Sequence, residues 1–346
     1  MSMTARAERH GAIGRLPRKE HYPLRPLVVC SLIVAALLAV GFLALSVGAV
    51  NLSPNAVLDG LFAGSSDYNR IVVREIRLPR VVDGMLAGAA LAIAGLLLQG
   101  VTRNPLADPT IMGVTAAAGL ASAAVIVVNP QVPQWGIAMA CAGGGLVGAG
   151  ALFVIAWRGA ISAVRLALAG VAMSAFFGAF IVALLASSRT FLQTSLGFLA
   201  GGLYGAGWIE MRAAMPYFIG GLLGSVLVSG RLNVLSLGDE IAAGLGVLTD
   251  RTRLAILGIA GVLTATAVSI AGLVSFVGLV CPHIARYAVG NDFRYLLPTS
   301  ALIGAILVAG ADVVARLVIA PSEIPMGIVT AAIGAPFLLY LLKFRA

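Results

Sequence analysis

Long apolar stretches alternate with short polar segments along almost the whole chain. Most of these stretches contain about 18 residues or more with almost no charge, which is enough for an α-helix to cross the roughly 30 Å of hydrocarbon in a bilayer. The pattern therefore predicts an all-α polytopic membrane protein. The nine apolar blocks are residues 27–50, 81–101, 111–128, 135–157, 166–186, 213–229, 254–285, 295–318 and 324–342.

The block 254–285 is too long for a single span. Its 32 residues would form a helix of about 48 Å, well beyond one untilted crossing. Gly272, Gly278 and Pro282 provide places to break it. We therefore expect a full span that ends near Ala271, a turn, and a shorter helix through GLVCPHIAR, residues 278–286. This division raises the predicted number of transmembrane helices to ten.

The distribution of basic residues supports ten helices with both termini in the cytoplasm. With this topology, 16 of the 23 Lys and Arg residues lie on the cytoplasmic side, as the positive-inside rule favours. Residues 1–26 form a basic cytoplasmic tail, and residues 27–346 form the membrane domain. The uncharged stretch 190–209 is rich in glycine and is expected to be an external loop with short helices.

Composition excludes several classes of protein. Apolar residues make up 60% of the chain, charged residues make up 11% and the mean hydropathy is +1.01, which a water-soluble surface cannot accommodate. The net charge of +9 is explained by the cytoplasmic loops, so no nucleic-acid partner is expected. The three isolated cysteines indicate neither a disulfide framework nor a metal site. We expect no cofactor bound by this chain.

Two features of the sequence bear on whether the chain could hydrolyse nucleotide itself or couple to an ion gradient. Neither of the two lysines lies in a glycine-rich phosphate-binding loop, so the chain is not expected to be an enzyme that hydrolyses nucleotide. Ion-driven transporters carry ionisable groups in the membrane, and here Asp83, Asp312 and His283 are the few candidates. A separate ATP-hydrolysing subunit is therefore the favoured source, and an ion-coupled secondary transporter or a channel or scaffold remains the alternative.

Two polar regions are candidates for partner contacts. The external segment 69–80, NRIVVREIRLPR, places four arginines where the positive-inside rule disfavours them, and Arg316 joins them from a later span, four residues after Asp312. These arginines either lie at the membrane interface or bind an acidic partner. Asp312 and Arg316, four residues apart on one helix face, are alternatively placed to pair with each other. The cytoplasmic loop 231–253 is either an ordinary loop or a knob of two short helices around Gly238 that enters a groove on a partner.

Several segments together resemble the permease subunits of ATP-binding-cassette importers for iron-siderophores, haem and vitamin B12. The resemblance runs from about Leu27 to the C-terminus. The matching segments are IRLPR (76–80), AGAALAIAGLLLQGVTRNPLADPTIMGV (87–114), RLALAGVAM (165–173), LSLGDEIAAGLGV (235–247), SFVGLVCPHIAR (275–286), ADVVARL (311–317) and EIPMGIVTAAIGAP (323–336). The resemblance implies two permease subunits around a central pathway, two ATPase subunits that hold ATP and magnesium, and a periplasmic binding protein.

The resemblance also implies roles for individual residues. Arg77, Arg80 and Arg316 are expected to meet acidic residues of the binding protein. The residues expected to enter the ATPase are Leu237, Gly238, Asp239, Glu240 and Ala242. The cytoplasmic gate corresponds to Ser162, Ala163 and Val164, where relatives can carry small hydroxyl residues and this chain is mostly apolar. The implied protein is a homodimeric bacterial inner-membrane importer of a ferric siderophore or haem that works by alternating access, with vitamin B12 as the alternative cargo.

Overall fold

The computed structural model describes residues 26–346 except residues 49, 64–66, 159, 162, 188–196, 204, 321 and 346. The predicted tail, apart from residue 26, lies outside these described residues. The main helices are α1 (Pro26–Ser46), α2 (Pro54–Leu58), α3 (Asp67–Arg70), α4 (Leu78–Thr102), α5 (Val114–Val128), α6 (Gln134–Ala156), α7 (Ala163–Ser187), α8 (Trp208–Ser236), α9 (Asp239–Gly244), α10 (Thr249–Ala271), α11 (Val277–Val289), α12 (Phe293–Leu317) and α13 (Met326–Arg345).

The described part of the chain is nearly all helical, and its long helices are apolar. Seven of them are long and apolar enough to cross a membrane: α1, the continuous helical stretch Asp67–Thr102 that contains α3 and α4, α6, α7, α8, α10 and α12. Three shorter apolar helices, α5, α11 and α13, accompany them. The protein is therefore a multi-pass helical membrane protein.

Helix α4 forms the centre of the molecule. From Leu86 to Thr102 every residue of α4 is buried, and the helix packs against α8, α10, α11 and α12. Helix α1 packs against the outer side of α12, and α5, α6 and α7 form a second group that joins the centre through α10. A helix that is apolar on all sides is expected where neighbouring helices surround it, and the sequence AGAALAIAGLLL of α4 meets that description.

Glycine allows α4 to lie in backbone contact with its neighbours. Gly88 faces Gly304 of α12, and Gly95 faces Gly278 of α11, so that a methyl group added at either residue of α4 would overlap a backbone carbonyl. Packing of this kind stabilises helix pairs in lipid, where burial of apolar side chains gives little advantage over contact with lipid tails. Glycine makes up 42 of the 346 residues, which favours such packing but does not show which glycines pair.

The predicted break in the block 254–285 is present. Helix α10 ends at Ala271, Gly272 follows with φ +65°, and α11 begins at Val277. The Gly202 amide donates to the Ala271 carbonyl at 3.0 Å, and the Leu273 amide donates to the Phe198 carbonyl at 2.9 Å. The backbone groups freed by the break therefore bond to the predicted external loop 190–209, of which residues 190–196 and 204 lie outside the described residues.

Two details differ from the predictions. Trp157–Arg158 and Ala160–Ile161 pair as a two-residue antiparallel β-ladder between α6 and α7, which was not predicted and leaves the described part of the chain nearly all helical. The connection is too short for another helix, and pairing satisfies its backbone groups. The knob also lacks its predicted first short helix, because residues 231–236 continue α8 without a break. Nothing in that segment, RLNVLS, interrupts a helix.

Candidate functional site

A compact knob connects α8 to α10. Helix α8 ends at Ser236, the chain turns at Gly238 with φ +124° and ψ 154°, and the short helix α9 follows at once. This backbone conformation is essentially restricted to glycine. The knob thus depends on Gly238 for its corner, as the sequence predicted.

The outer face of the knob is apolar and exposed. Within α9, the buried Ala242 faces inward, and Glu240 is exposed at the corner. Four large apolar side chains of the knob are each more than half exposed: Leu237, Ile241, Leu245 and Leu248. Clustered exposed apolar side chains on a polar connection are typical of a surface that binds another protein. In the sequence, the four-residue spacing of Leu237, Ile241 and Leu245 is the pattern that could have indicated this face.

Asp239 turns toward the protein rather than outward. Its carboxylate accepts hydrogen bonds from Arg253 at 2.8 and 3.0 Å and from Arg103. Arg103 follows the last residue of α4 and also donates to the Leu235 carbonyl at 3.0 Å. Asp239 therefore ties the knob to α4 and to α10. Arg103 and Arg253 were not identified from the sequence, because they lie 136 and 14 residues from Asp239.

The three arginines predicted to dock the binding protein lie together at the opposite end of the helices. Arg80 forms ion pairs with Asp312 and Glu323, both at 2.8 Å. Arg316 pairs with the same Asp312 at 3.1 Å, as their four-residue spacing predicted. In this arrangement the two carboxylates accept hydrogen bonds from most of the N–H groups of Arg80.

Arg77 and Arg316 also complete the end of α1. A helix leaves its last carbonyl groups without internal partners, and positive charge is favourable there. The two buried guanidinium groups donate to five carbonyl groups at and just beyond this end, those of Ala44, Leu45, Ser46, Val47 and Val50. Both arginines are only 7% exposed, so in this structure they bind their own chain. Their contact with a binding protein stays a prediction.

The ionisable groups considered for ion coupling have different environments. Asp312 is ion-paired with two arginines. Asp83 is fully buried in α4 near Glu210 and the backbone of Gly207. The His283 ring packs edge-on against Tyr287 and Phe337 at centroid distances of 5.2 and 5.5 Å. Among the described residues, no group of three or more His, Cys, Asp or Glu side chains is arranged to hold a metal ion.

The predicted gate residues fall at the start of α7. Ser162 lies outside the described residues, and Ala163 and Val164 open the helix. The structure describes only the backbone there, so the gate stays a prediction.

The loop between α4 and α5 is held by its own polar side chains. Asn104 accepts a hydrogen bond from the Leu106 amide at 2.9 Å, and Asp108 accepts one from the Thr110 amide at 2.8 Å. Burial raises the pKa of Asp108 above that of an exposed carboxyl group, although hydrogen bonds from Thr110 oppose this. These contacts fix the loop beneath α11, where Gly278 lies against Asp108.

A family model described as the FecCD transport family matches residues 36–344. This range contains both the knob and the three arginines Arg77, Arg80 and Arg316. The chain belongs to the FecCD transport family. The family consists of membrane permease subunits of ABC importers, which are not themselves catalytic.

Individual FecCD relatives match over most of their length. The Fe(3+)-citrate import system permease protein YfmE of Bacillus subtilis is 38% identical over 322 residues, which cover 93% of this chain and 96% of the relative. The cobalamin import system permease protein BtuC of Halobacterium salinarum is 42% identical over 283 residues, which cover 82% of this chain and 76% of the relative. These two relatives carry different cargoes, so identity alone does not select between iron complexes and cobalamin.

The fold also matches a solved ABC transporter. A metal-chelate type ABC transporter in an inward-facing conformation superposes with a TM-score of 0.80 and 29% identity, covering 92% of this chain and 99% of the solved chain. The agreement extends over nearly the whole FecCD chain.

Proposed function

We propose that this chain is the permease subunit of a binding-protein-dependent ABC importer that moves an iron complex, a ferric siderophore or haem, across the bacterial inner membrane. Ten helices cross the membrane, with both termini in the cytoplasm. Two copies form the pathway, two ATP-binding subunits dock on the knobs, and a periplasmic binding protein delivers cargo to the opposite end. Supporting this reading are the FecCD match, the iron-citrate relative and the ten apolar helices among the described residues.

The exposed apolar face of the knob carries the proposal. A surface that presents Leu237, Ile241 and Leu245 to solvent is costly in isolation and becomes favourable when a groove covers it. Closure of the ATP-binding subunits would move the knob, and Asp239 would pass that movement to α4 and α10 through Arg103 and Arg253. Tilting of these helices would then open the pathway alternately to each side.

Co-purification of the permease with its ATP-binding subunit tests this assignment. We expect Ile241→Asp to abolish co-purification and ATP-dependent uptake, because it places a charge in the apolar contact. Ile319→Asp is the matched control for co-purification, since Ile319 is 57% exposed against 53% for Ile241 and lies after α12, away from the knob. Uptake is not compared for this control, because Ile319 lies between Arg316 and Glu323 at the end proposed for the binding protein. If both variants retained the ATP-binding subunit, the knob would not be the docking surface.

The docking role of the arginines requires a more careful test than charge reversal, because reversal would also disrupt α1. Arg80 is the best placed of the three, with 19% of its side chain exposed beside Glu323. Glu323→Gln removes one of the two carboxylates that pair with Arg80, while Asp312 still holds the group. We expect this change to strengthen binding of the binding protein, and Arg80→Gln to weaken it in a salt-dependent way. Unchanged affinity in both variants would exclude Arg80 as a docking residue.

Uptake measurements distinguish the cargoes and the rival mechanism. Vesicles that contain the complete complex should accumulate the ferric complex held by the cognate binding protein, and accumulation of cobalamin would instead support the alternative cargo. An ion-coupled secondary transporter would work without ATP-binding subunits and would depend on an intramembrane carboxyl group such as Asp83. We therefore expect Asp83→Asn to retain ATP-dependent uptake.

A reporter enzyme fused to the C-terminus should be active only in the cytoplasm if ten helices span the membrane.

A further inference from the structure

A cavity lined in part by polar side chains lies beside the knob, at the ends of four helices. It has a volume of about 360 Å³ and is bounded by the ends of α4, α8 and α11 and by the start of α12. Six of its lining residues matter here: Gln99, Arg103, Ser236, Arg286, Asn291 and Phe293. The size is at the lower end of the range for small-ligand sites. The proposed transport mechanism uses Arg103 to couple the knob to α4, but it assigns no role to the cavity itself or to Arg286.

Arg286 provides a fixed positive charge in this cavity. Its guanidinium group donates to the Gln99 side chain at 2.5 Å, and Gln99 in turn donates to the Gly278 carbonyl at 3.1 Å. No ion pair of Arg286 occurs among the residues that the structure describes. The guanidinium group is thus held in place by a neutral amide, and four of its five N–H groups remain for another acceptor.

The nearby carboxylates are already bound elsewhere. Asp239 bonds to Arg103 and Arg253, and Asp292 accepts from the Arg294 amide and the Asn233 side chain. Arg103 uses Nε and one terminal nitrogen in its contacts, so its second terminal nitrogen is available beside the cavity. The side-chain amide of Asn291 is exposed at the rim. The cavity therefore has an excess of positive charge and of donors over acceptors.

We propose that this cavity binds a phosphate group, as found on an anionic phospholipid or as free phosphate. Forked guanidinium donors match the oxygens of phosphate, and Asn291 adds a neutral donor. With the topology proposed above, the ends of these helices lie near the depth of lipid headgroups, and basic pockets between membrane helices bind such headgroups. Because Arg103 also holds Asp239 of the knob, an occupied cavity would stabilise the connection between the knob and α4.

Lipid and phosphate binding by the purified, delipidated full chain tests the proposal. The chain is titrated with phosphatidylglycerol, with phosphatidylcholine and with sodium phosphate at constant ionic strength, and retained lipid and the thermal unfolding midpoint are measured. We expect phosphatidylglycerol to bind at least about tenfold more tightly than phosphatidylcholine if the ligand is a lipid. Stabilisation by inorganic phosphate alone, without a preference between the lipids, would identify free phosphate.

Two variants locate the binding. Arg286→Gln should weaken it by about 10- to 100-fold, since a charged hydrogen-bonding partner is lost. Asn291→Asp leaves the buried contacts intact and should weaken it by about three- to tenfold through repulsion. Asn129→Asp makes the same exchange at an exposed position after α5 and should have no effect. The proposal would be overturned if phosphatidylglycerol bound no more tightly than phosphatidylcholine and inorganic phosphate did not stabilise the chain. It would also be overturned if Asn291→Asp changed binding no more than Asn129→Asp does.

Discussion

The two ends of the helical bundle differ in which side chains are buried and which are exposed. At the end with Arg77, Arg80 and Arg316, charged groups are buried and bond to carboxylates and carbonyls of the same chain. At the knob, large apolar side chains are exposed. A cluster of charge in a sequence therefore does not by itself identify a docking surface, because burial within the chain satisfies the same groups. Exposed apolar side chains outside the spanning helices are the stronger sign of a partner, because those along the spans are expected to contact lipid.

Substitution of Asp312 should have the largest effect on stability. Asp312→Ala removes the carboxylate that Arg80 and Arg316 share, and loss of one partner in a buried ion pair costs about 3–5 kcal/mol. The matched control is Asp67→Ala, which breaks the exposed pair between Asp67 and Arg70 on the same segment as Arg77. That change should cost less than about 1 kcal/mol. Thermal unfolding in detergent measures both, and equal shifts would contradict the burial of the Asp312 pairs.

A change at the corner of the knob should have an intermediate effect. Gly238→Ala places a side chain on a residue with φ +124°, which costs about 1–3 kcal/mol, and should shift the corner and reduce co-purification of the ATP-binding subunit. Gly244→Ala, at the end of α9, is the control, because its φ is not positive and nothing lies near the added methyl group. If the two variants behaved alike, the conformation at Gly238 would not determine the shape of the knob.

The smallest effect is expected at the start of α12, near the knob. Asp292 accepts from the Arg294 amide, and this bond, followed by one from Asn233, lowers the pKa of Asp292. Because the folded pKa is depressed, the stabilisation is complete above the unfolded pKa of about 3.9 and is lost as pH falls through the folded pKa. Asp292→Ala should cost about 1 kcal/mol at neutral pH.

Asp292→Asn separates the charge of this residue from its hydrogen bonds. It keeps an acceptor for the Arg294 amide but cannot titrate, so the unfolding midpoint should lose part of its dependence on pH below about pH 4. An unchanged pH profile in this variant would show that other groups control acid stability at this end of the molecule.

The fold was largely predictable because hydrophobic periodicity and helix breakers act locally. Gly272 marks the end of α10 directly after Ala271, as expected. Gly238 marks the corner of the knob, although the segment before it continues α8 instead of forming a separate helix. Local patterns also located Asp312 and Arg316 on one face of α12, where they pair. Each of these features depends on residues within about one turn of each other.

The candidate sites were only partly predictable because their contacts join distant residues. Arg103 reaches Asp239 over 136 positions, and Arg80 reaches Asp312 over 232 positions. No local pattern shows that Arg77 bonds to the end of α1, or that Arg286 faces a cavity without a carboxylate partner in the described part of the chain. Such pairings depend on how the helices pack, which many weak contacts determine together.

The sequence by itself determined that the protein resides in a membrane as a set of apolar helices, where those helices break, and which family it resembles. These properties follow from hydropathy, from backbone preferences of glycine and proline, and from ordered motifs. The tertiary structure alone decided which charged groups are bound within the chain and which apolar side chains outside the spans stay exposed. Arg77 and Arg316 are held by the end of α1, whereas Ile241 and Leu245 remain exposed. Exposure depends on the neighbours that packing provides, and a residue's type does not specify those neighbours.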